Sequence, residues 1–121
     1  MEVIQIDGNR TERYVDPRLE VDFRIPTVML DSRPVKLTNL EFQLLARLAQ
    51  DAGDIVPRAT LLKSVWGYGS EIRTRTLDVH IRRLRRKLKD SSRQHIETVF
   101  GIGYRLQPCR KSDRLPNAVS A

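Results

Sequence analysis

The sequence predicts a small α+β domain built in the order antiparallel sheet, three helices, β-hairpin. Three observations carry this. Apolar residues alternate with polar ones from Leu19 to Leu37. The period then changes at Thr38 to helical spacing, which persists in three separate segments up to about residue 89. Two short β-rich runs around Gly101-Ile102-Gly103 follow, and they read as a hairpin.

The strands come first. Residues 2–6 can form a short strand, and Gly8-Asn9-Arg10 and Asp16-Pro17 are turn signals in an otherwise mixed N-terminal stretch. Leu19, Val21 and Phe23, then Val28 and Leu30, then Val35 and Leu37 define three strands of a meander, separated by Ile25-Pro26 and Asp31-Ser32-Arg33-Pro34.

Thr38-Asn39-Leu40-Glu41 is a capping box, in which the Thr hydroxyl and the Glu carboxylate each satisfy a free N–H of the first turn. Leu37 and Phe42 occupy the positions of a hydrophobic staple. Leu40, Leu44, Leu45, Leu48 and Ala49 predict a first helix over about 39–52, closed by Gly53. Pro57, with no N–H to leave unpaired, opens a second helix whose apolar face is Leu61, Leu62, Val65 and Trp66 and which Gly67 ends. The third helix covers about 74–89, with Asp90-Ser91-Ser92 breaking it. Residues 96–100 and 104–106 form the hairpin. Two helices joined by a short loop, the second strongly basic and followed by a hairpin, make a helix-turn-helix with a wing. The segments are therefore an N-terminal segment or linker at 1–16, the winged helix at 17–107 and a tail at 108–121 that lacks periodicity and reads as disordered.

Length and charge narrow the function. At 121 residues the chain holds one domain's worth of material. Its hydrophobic fraction of 40% and charged fraction of 31% suit a globular fold. There is no apolar run long enough to span a membrane and no secretory signal at the start. The single Cys109 has no partner within the chain for a disulfide, which suits a cytoplasmic setting. The net charge is +7, and its location is informative. Residues 73–93 hold nine bases and two acids, while the remaining 100 residues hold 13 of each. The whole excess lies in one segment, the pattern expected for a polyanion-binding surface.

Within the third helix, Leu77, Ile81, Leu84 and Leu88 recur at i, i+4, i+7 and i+11 and form the core-facing stripe. At about 100° per residue, the opposite face carries Val79, Arg82, Arg83 and Arg86, with Thr76, His80 and Arg85 on the flanks. A Val amid arginines suits a face that meets base edges: its methyls can touch a thymine methyl, while Arg83 can bond bidentately to guanine. Arg82, Arg86, Lys87 and the bases at the helix start would reach phosphates. His80 could serve as a core residue, a metal ligand or a phosphate contact, and its flank position and basic neighbours favour phosphate or solvent. A zinc site from His80, His95 and Cys109 has no matching ligand spacing. No catalytic constellation and no cofactor motif stand out. Gly101-Ile102-Gly103 joins two strands rather than opening a helix, so it is a wing turn and not a phosphate loop.

Four stretches, in this order, resemble the effector domain of the OmpR/PhoB family of bacterial response regulators. They are Leu37-Thr38-Asn39-Leu40-Glu41-Phe42-Gln43-Leu44-Leu45, Leu61-Leu62-Lys63-Ser64-Val65-Trp66-Gly67-Tyr68, Arg75-Thr76-Leu77-Asp78-Val79-His80-Ile81-Arg82-Arg83-Leu84-Arg85-Arg86-Lys87-Leu88 and Thr98-Val99-Phe100-Gly101-Ile102-Gly103-Tyr104-Arg105-Leu106. The resemblance covers about 17–107. It implies a winged helix with a four-stranded N-terminal sheet, and sequence-specific binding of double-stranded promoter DNA within a two-component phosphorelay. It also implies tandem dimers on direct repeats and entry of the third helix into the major groove. No small-molecule ligand, membrane or metal is implied.

By position, Val79, Arg83 and Arg85 match the family's base-facing residues. Arg75, His80, Arg82, Thr98 and Tyr104 match frequent backbone contacts, to which the charge pattern adds Arg73, Thr76, Arg86 and Lys87. Phe100, Gly101, Ile102 and Gly103 form the wing. Gly67, Tyr68, Gly69, Ser70 and Glu71 lie in the loop through which the family commonly meets RNA polymerase. Three features depart from the pattern. Residues 1–18 carry nothing of the receiver domain that usually precedes this effector, so the chain reads as an excised effector or a standalone regulator. Phe100 stands where many relatives place a minor-groove arginine, and Pro57 where a Ser cap is common. The competing functions are a winged helix that binds protein and a non-specific nucleic-acid binder. The first has no need of a +7 segment, and competition with specific and scrambled DNA separates all three.

Overall fold

The computed structural model describes residues 2–6, 10–67, 74–89 and 95–108. The chain divides into two compact units that meet in sequence between Val35 and Lys36.

The first unit is a five-stranded antiparallel meander: β1 (Glu2–Ile6), β2 (Arg10–Val15), β3 (Leu19–Asp22), β4 (Thr27–Leu30) and β5 (Arg33–Pro34), paired in chain order. Its register explains the alternation. Tyr14 pairs with Val21 and Val21 with Val28, while Leu19 pairs with Leu30, and all five side chains are buried. Cross-strand apolar rows of this kind fix register, because a slip by one residue would turn every one of them outward. Asp16 makes the corner between β2 and β3. One carboxylate oxygen accepts the N–H groups of Arg18 and Leu19, and the other accepts the Tyr14 hydroxyl. The two-residue turn Asp31-Ser32 has positive φ at both positions (51° and 67°), the geometry of a tight hairpin.

Three details differ from the sequence expectation. Strand β2 falls in the segment read as mixed, because only Tyr14 among its described side chains is a buried apolar group. The sheet accordingly has five strands instead of four. The last strand is Arg33–Pro34 and not 35–37, because the tight turn begins pairing at Arg33 at once.

The second unit, Lys36 to Gln107, holds α1 (Asn39–Gln50), β6 (Ile55–Pro57), α2 (Arg58–Trp66), α3 (Thr74–Lys87), β7 (Ile96–Val99) and β8 (Gly103–Leu106). The capping box forms as expected: Thr38 Oγ1 accepts the Glu41 N–H at 3.2 Å, and Glu41 Oε1 accepts the Thr38 N–H at 2.9 Å. Helix α1 ends at Gln50, and Gly53, with φ of 92°, donates its N–H to the Leu106 carbonyl. The three helices pack pairwise around Leu44, Leu45, Leu48, Leu61, Leu77, Ile81, Leu84 and Leu88, all fully buried.

The wing sheet runs in the order β6-β8-β7. Strand β6 was not legible in the sequence, since three residues carry too little periodicity. Pro57 ends that strand and caps α2, so the helix begins one residue later than expected. Helix α3 ends at Lys87 rather than near residue 89, where Lys89 adopts a φ of 55°. Gly103 is required by close approach: a Cβ there would lie 2.1 Å from the Val56 carbonyl oxygen.

Candidate nucleic-acid interface

Helix α3 separates its faces as its periodicity demands. Leu77, Ile81, Leu84 and Leu88 are each fully buried. On the other side Arg75, Arg82, Arg83 and Arg86 are exposed, with Val79 and Thr76 half-buried beside them. Four guanidinium groups on one side of a helix repel one another, and the arrangement is stable only because water, or an anion, faces them. This is the set to which a polyanion would bind.

The flank at Asp78 and Arg85 turns toward the hairpin and holds a dense polar cluster. Asp78 Oδ1 accepts hydrogen bonds from Arg58 at 2.7 Å and from the Tyr104 hydroxyl at 2.5 Å. The guanidinium carbons of Arg58 and Arg85 each lie 5.7 Å from the Tyr104 ring centroid. Arg85 in turn donates to the Ile96 carbonyl and to Thr98 Oγ1, both at 2.7 Å. Burial first, and then the Asp78 carboxylate, push the Tyr104 hydroxyl above its ordinary pKa, with Arg58 opposing. Burial would lower Arg58, but Asp78 and Tyr104 outweigh it, so its charge is held more firmly than usual.

Several of the residues expected at DNA make contacts within the chain. Arg85, expected at bases, ties α3 to β7 in this structure, and Thr98, expected at phosphates, is its acceptor. Tyr104, also expected at phosphates, is only 4% exposed and gives its hydroxyl to Asp78. Lys87 donates to Glu41 Oε1 at 2.7 Å, joining the end of α3 to the start of α1. Glu41 is 2% exposed. Burial tends to raise its pKa, but Lys87 and the Thr38 N–H prevail and hold it below the ordinary carboxylate value. His80 directs Nδ1 at the Thr76 carbonyl at 2.9 Å and meets the Trp66 ring edge-on, with centroids 5.3 Å apart.

The wing turn presents Phe100, 84% exposed, and Ile102, 51% exposed, on either side of Gly101, whose φ is 78°. The Ile102 carbonyl accepts the Arg58 N–H, which anchors the turn to the start of α2. Arg73 and residues 68–71 of the expected polymerase-facing loop lie outside the described residues, and Gly67 closes α2 with a φ of 98°. Sequence reasoning missed the parts played by Arg58 and Asp78, and read Glu41 as a helix cap without its pairing to Lys87. One signal was available for Asp78: it is one of only two acids in the basic segment. Among the described residues, no group of three His, Cys, Asp or Glu side chains could hold a metal, and no helix is long and apolar enough to cross a membrane.

A helical pair, a basic outward-facing third helix and a hairpin braced against it define the class: a winged helix-turn-helix effector domain. Residues 32–106 match the family model described as transcriptional regulatory protein, C terminal, and the chain belongs to this family, the OmpR/PhoB type of effector. Response regulator ArlR of Staphylococcus aureus is 40% identical over 87 residues, which are 71% of this chain and 40% of that protein. The chain thus spans well under half the length of the curated relatives it matches. The RstA DNA-binding domain of Klebsiella pneumoniae, solved in complex with its RstA box, superposes with a TM-score of 0.74 at 35% identity, covering 81% of this chain and 99% of that one. DrrB of Thermotoga maritima, an OmpR/PhoB homolog, gives 0.75 at 29% identity over 84% of this chain and 46% of its own.

Proposed function

We propose that this chain binds double-stranded promoter DNA in a sequence-specific way and regulates transcription, with α3 in the major groove. The observation that carries the reading is the face of α3 itself, where Arg75, Arg82, Arg83 and Arg86 are exposed around Val79, opposite a fully buried leucine-rich stripe. Arg83 and Val79 read bases, while Arg75, Arg82 and Arg86 contact phosphates. Membership of a DNA-binding effector family supports this assignment, as does the relative solved on its own DNA box. Arg85, Thr98, Tyr104 and Lys87 act one step back from DNA, by fixing α3 to the wing and to α1.

The same reading places the chain in the cytoplasm. It gives the chain tandem dimers on direct repeats as its DNA-bound state and RNA polymerase as the partner of the loop after α2. The test is selection of bound sites from a random DNA pool, followed by gel shift with selected and scrambled competitors. A shared motif that only the selected competitor displaces is the expected result. Equal displacement by both would replace this reading with non-specific binding, and no retention of DNA would favour a protein-binding winged helix.

A further inference from the structure

We infer that Asp78 is a specificity-determining residue that touches no base: it holds the wing and the start of α2 in register with α3 and keeps Arg58 from binding phosphate indiscriminately. The inference rests on the DNA-binding reading above and deepens it.

Asp78 is an anomaly on electrostatic grounds. A carboxylate within a helix that faces a polyanion repels the phosphates it would approach. Asp78 has no fold-level need to be acidic, since its side chain is 47% exposed and lies off the buried stripe. What it does have is position. One carboxylate oxygen receives a guanidinium from the first residue of α2 and a hydroxyl from β8. That same Arg58 binds the wing turn through its backbone, at the Ile102 carbonyl. About two turns further along α3, Arg85 reaches the other wing strand at Ile96 and Thr98. Both guanidiniums flank the Tyr104 ring. The recognition helix is therefore pinned to the wing at two points by polar contacts that have directional geometry. Apolar packing alone, which is non-directional, would let the hairpin rock.

Two consequences follow for binding. With the wing fixed, a site must match α3 and the wing together, which raises discrimination. With Arg58 neutralised by Asp78, one cation fewer is offered to any phosphate backbone, which lowers affinity for the wrong sequences. Both effects widen the gap between cognate and non-cognate DNA.

The test uses the full 121-residue chain, a duplex taken from the random-pool selection and a scrambled duplex, with binding read by fluorescence anisotropy across a salt series. Asp78→Asn should tighten binding to the scrambled duplex several-fold and leave the selected duplex unchanged or weaker, so the ratio falls about tenfold. Its log K versus log[salt] slope should steepen by about one unit as Arg58 becomes available to phosphate. Tyr104→Phe deletes the hydroxyl contact and moves no charge. It should lower the ratio without changing the slope, and it keeps the test decisive if Asp78→Asn folds poorly. If the variants lose both affinities in proportion, tracking only their unfolded fraction, Asp78 is a structural residue and the inference falls. An unchanged ratio in both variants overturns it equally. A wild type with no preference for the selected duplex overturns the DNA-binding reading itself, and this one with it.

Discussion

Arg83 and Lys87 stand four residues apart on α3, and their surroundings give them different work. Arg83 is exposed, on the face opposite the buried stripe. Arg83→Ala should cost about 1–3 kcal/mol on the selected site and relax preference at one base pair, while scrambled DNA loses much less. An equal loss on both duplexes would make it a phosphate contact. Lys87 is bonded to buried Glu41, so its loss should register first in folding. The Glu41 carboxyl titrates below its ordinary value of 4.5 in the fold. Its stabilisation is therefore present above that value and is lost as pH falls through the lower folded pKa. Lys87→Met should reduce stability at neutral pH by about 1 kcal/mol, since the lysine end of the pair is partly solvated. It should also flatten the fall in stability below pH 4.5. Chemical denaturation at a series of pH values reads both effects. An acid limb identical to wild type would show that the pair contributes nothing.

At the scale of elements, α3 and the wing each hinge on a position with no latitude. Leu84 lies in the middle of the α3 stripe and is fully buried, so Leu84→Ala should cost about 2–5 kcal/mol of stability. DNA binding should be lost only in step with folding, and a fully stable variant that no longer binds would reverse the assignment of the helix faces. In the wing, Gly103 packs so tightly on β6 that an added Cβ meets backbone. Gly103→Ala should cost at least about 3 kcal/mol, the upper end of overpacking, with thermal unfolding as the measure. The wing tip offers Phe100 and Ile102 in place of a cation. Phe100→Arg should therefore tighten binding to sites with an A·T-rich minor groove under the wing, because a narrow groove concentrates negative potential.

For the molecule as a whole, the governing fact is that the charge excess of +7 is confined to residues 73–93 while the remainder balances. Affinity should therefore be strongly salt-dependent, through few residues. Three exposed arginines of α3 assigned to phosphates, Arg75, Arg82 and Arg86, each releasing close to one counterion, predict a log K versus log[salt] slope of about −3 per bound copy. Titration of the selected duplex between low and physiological salt measures it. A slope near zero would mean that the α3 cations do not meet phosphate.

The sequence by itself determined the order of elements, the capping box at Thr38 and Glu41, the core face of α3 and the location of the charge. Each of these is encoded locally, by residues within a few positions of one another whose period or chemistry is readable in isolation. It left β2 and β6 unread, because β2 is mostly polar and held by backbone pairing to the adjacent β1 and β3, while β6 is three residues long and pairs with β8, far along the chain. The tertiary structure alone decided which cations remain available. Arg83 and Arg85 look alike in sequence, two positions apart. Only the folded hairpin, which brings Ile96 and Thr98 to one flank of α3, engages Arg85 and leaves Arg83 facing outward. The same hairpin gives Asp78 its two donors, Arg58 from 20 positions upstream and Tyr104 from 26 positions downstream. A carboxylate's partners are set by distance in space, and no local pattern in the chain records that distance.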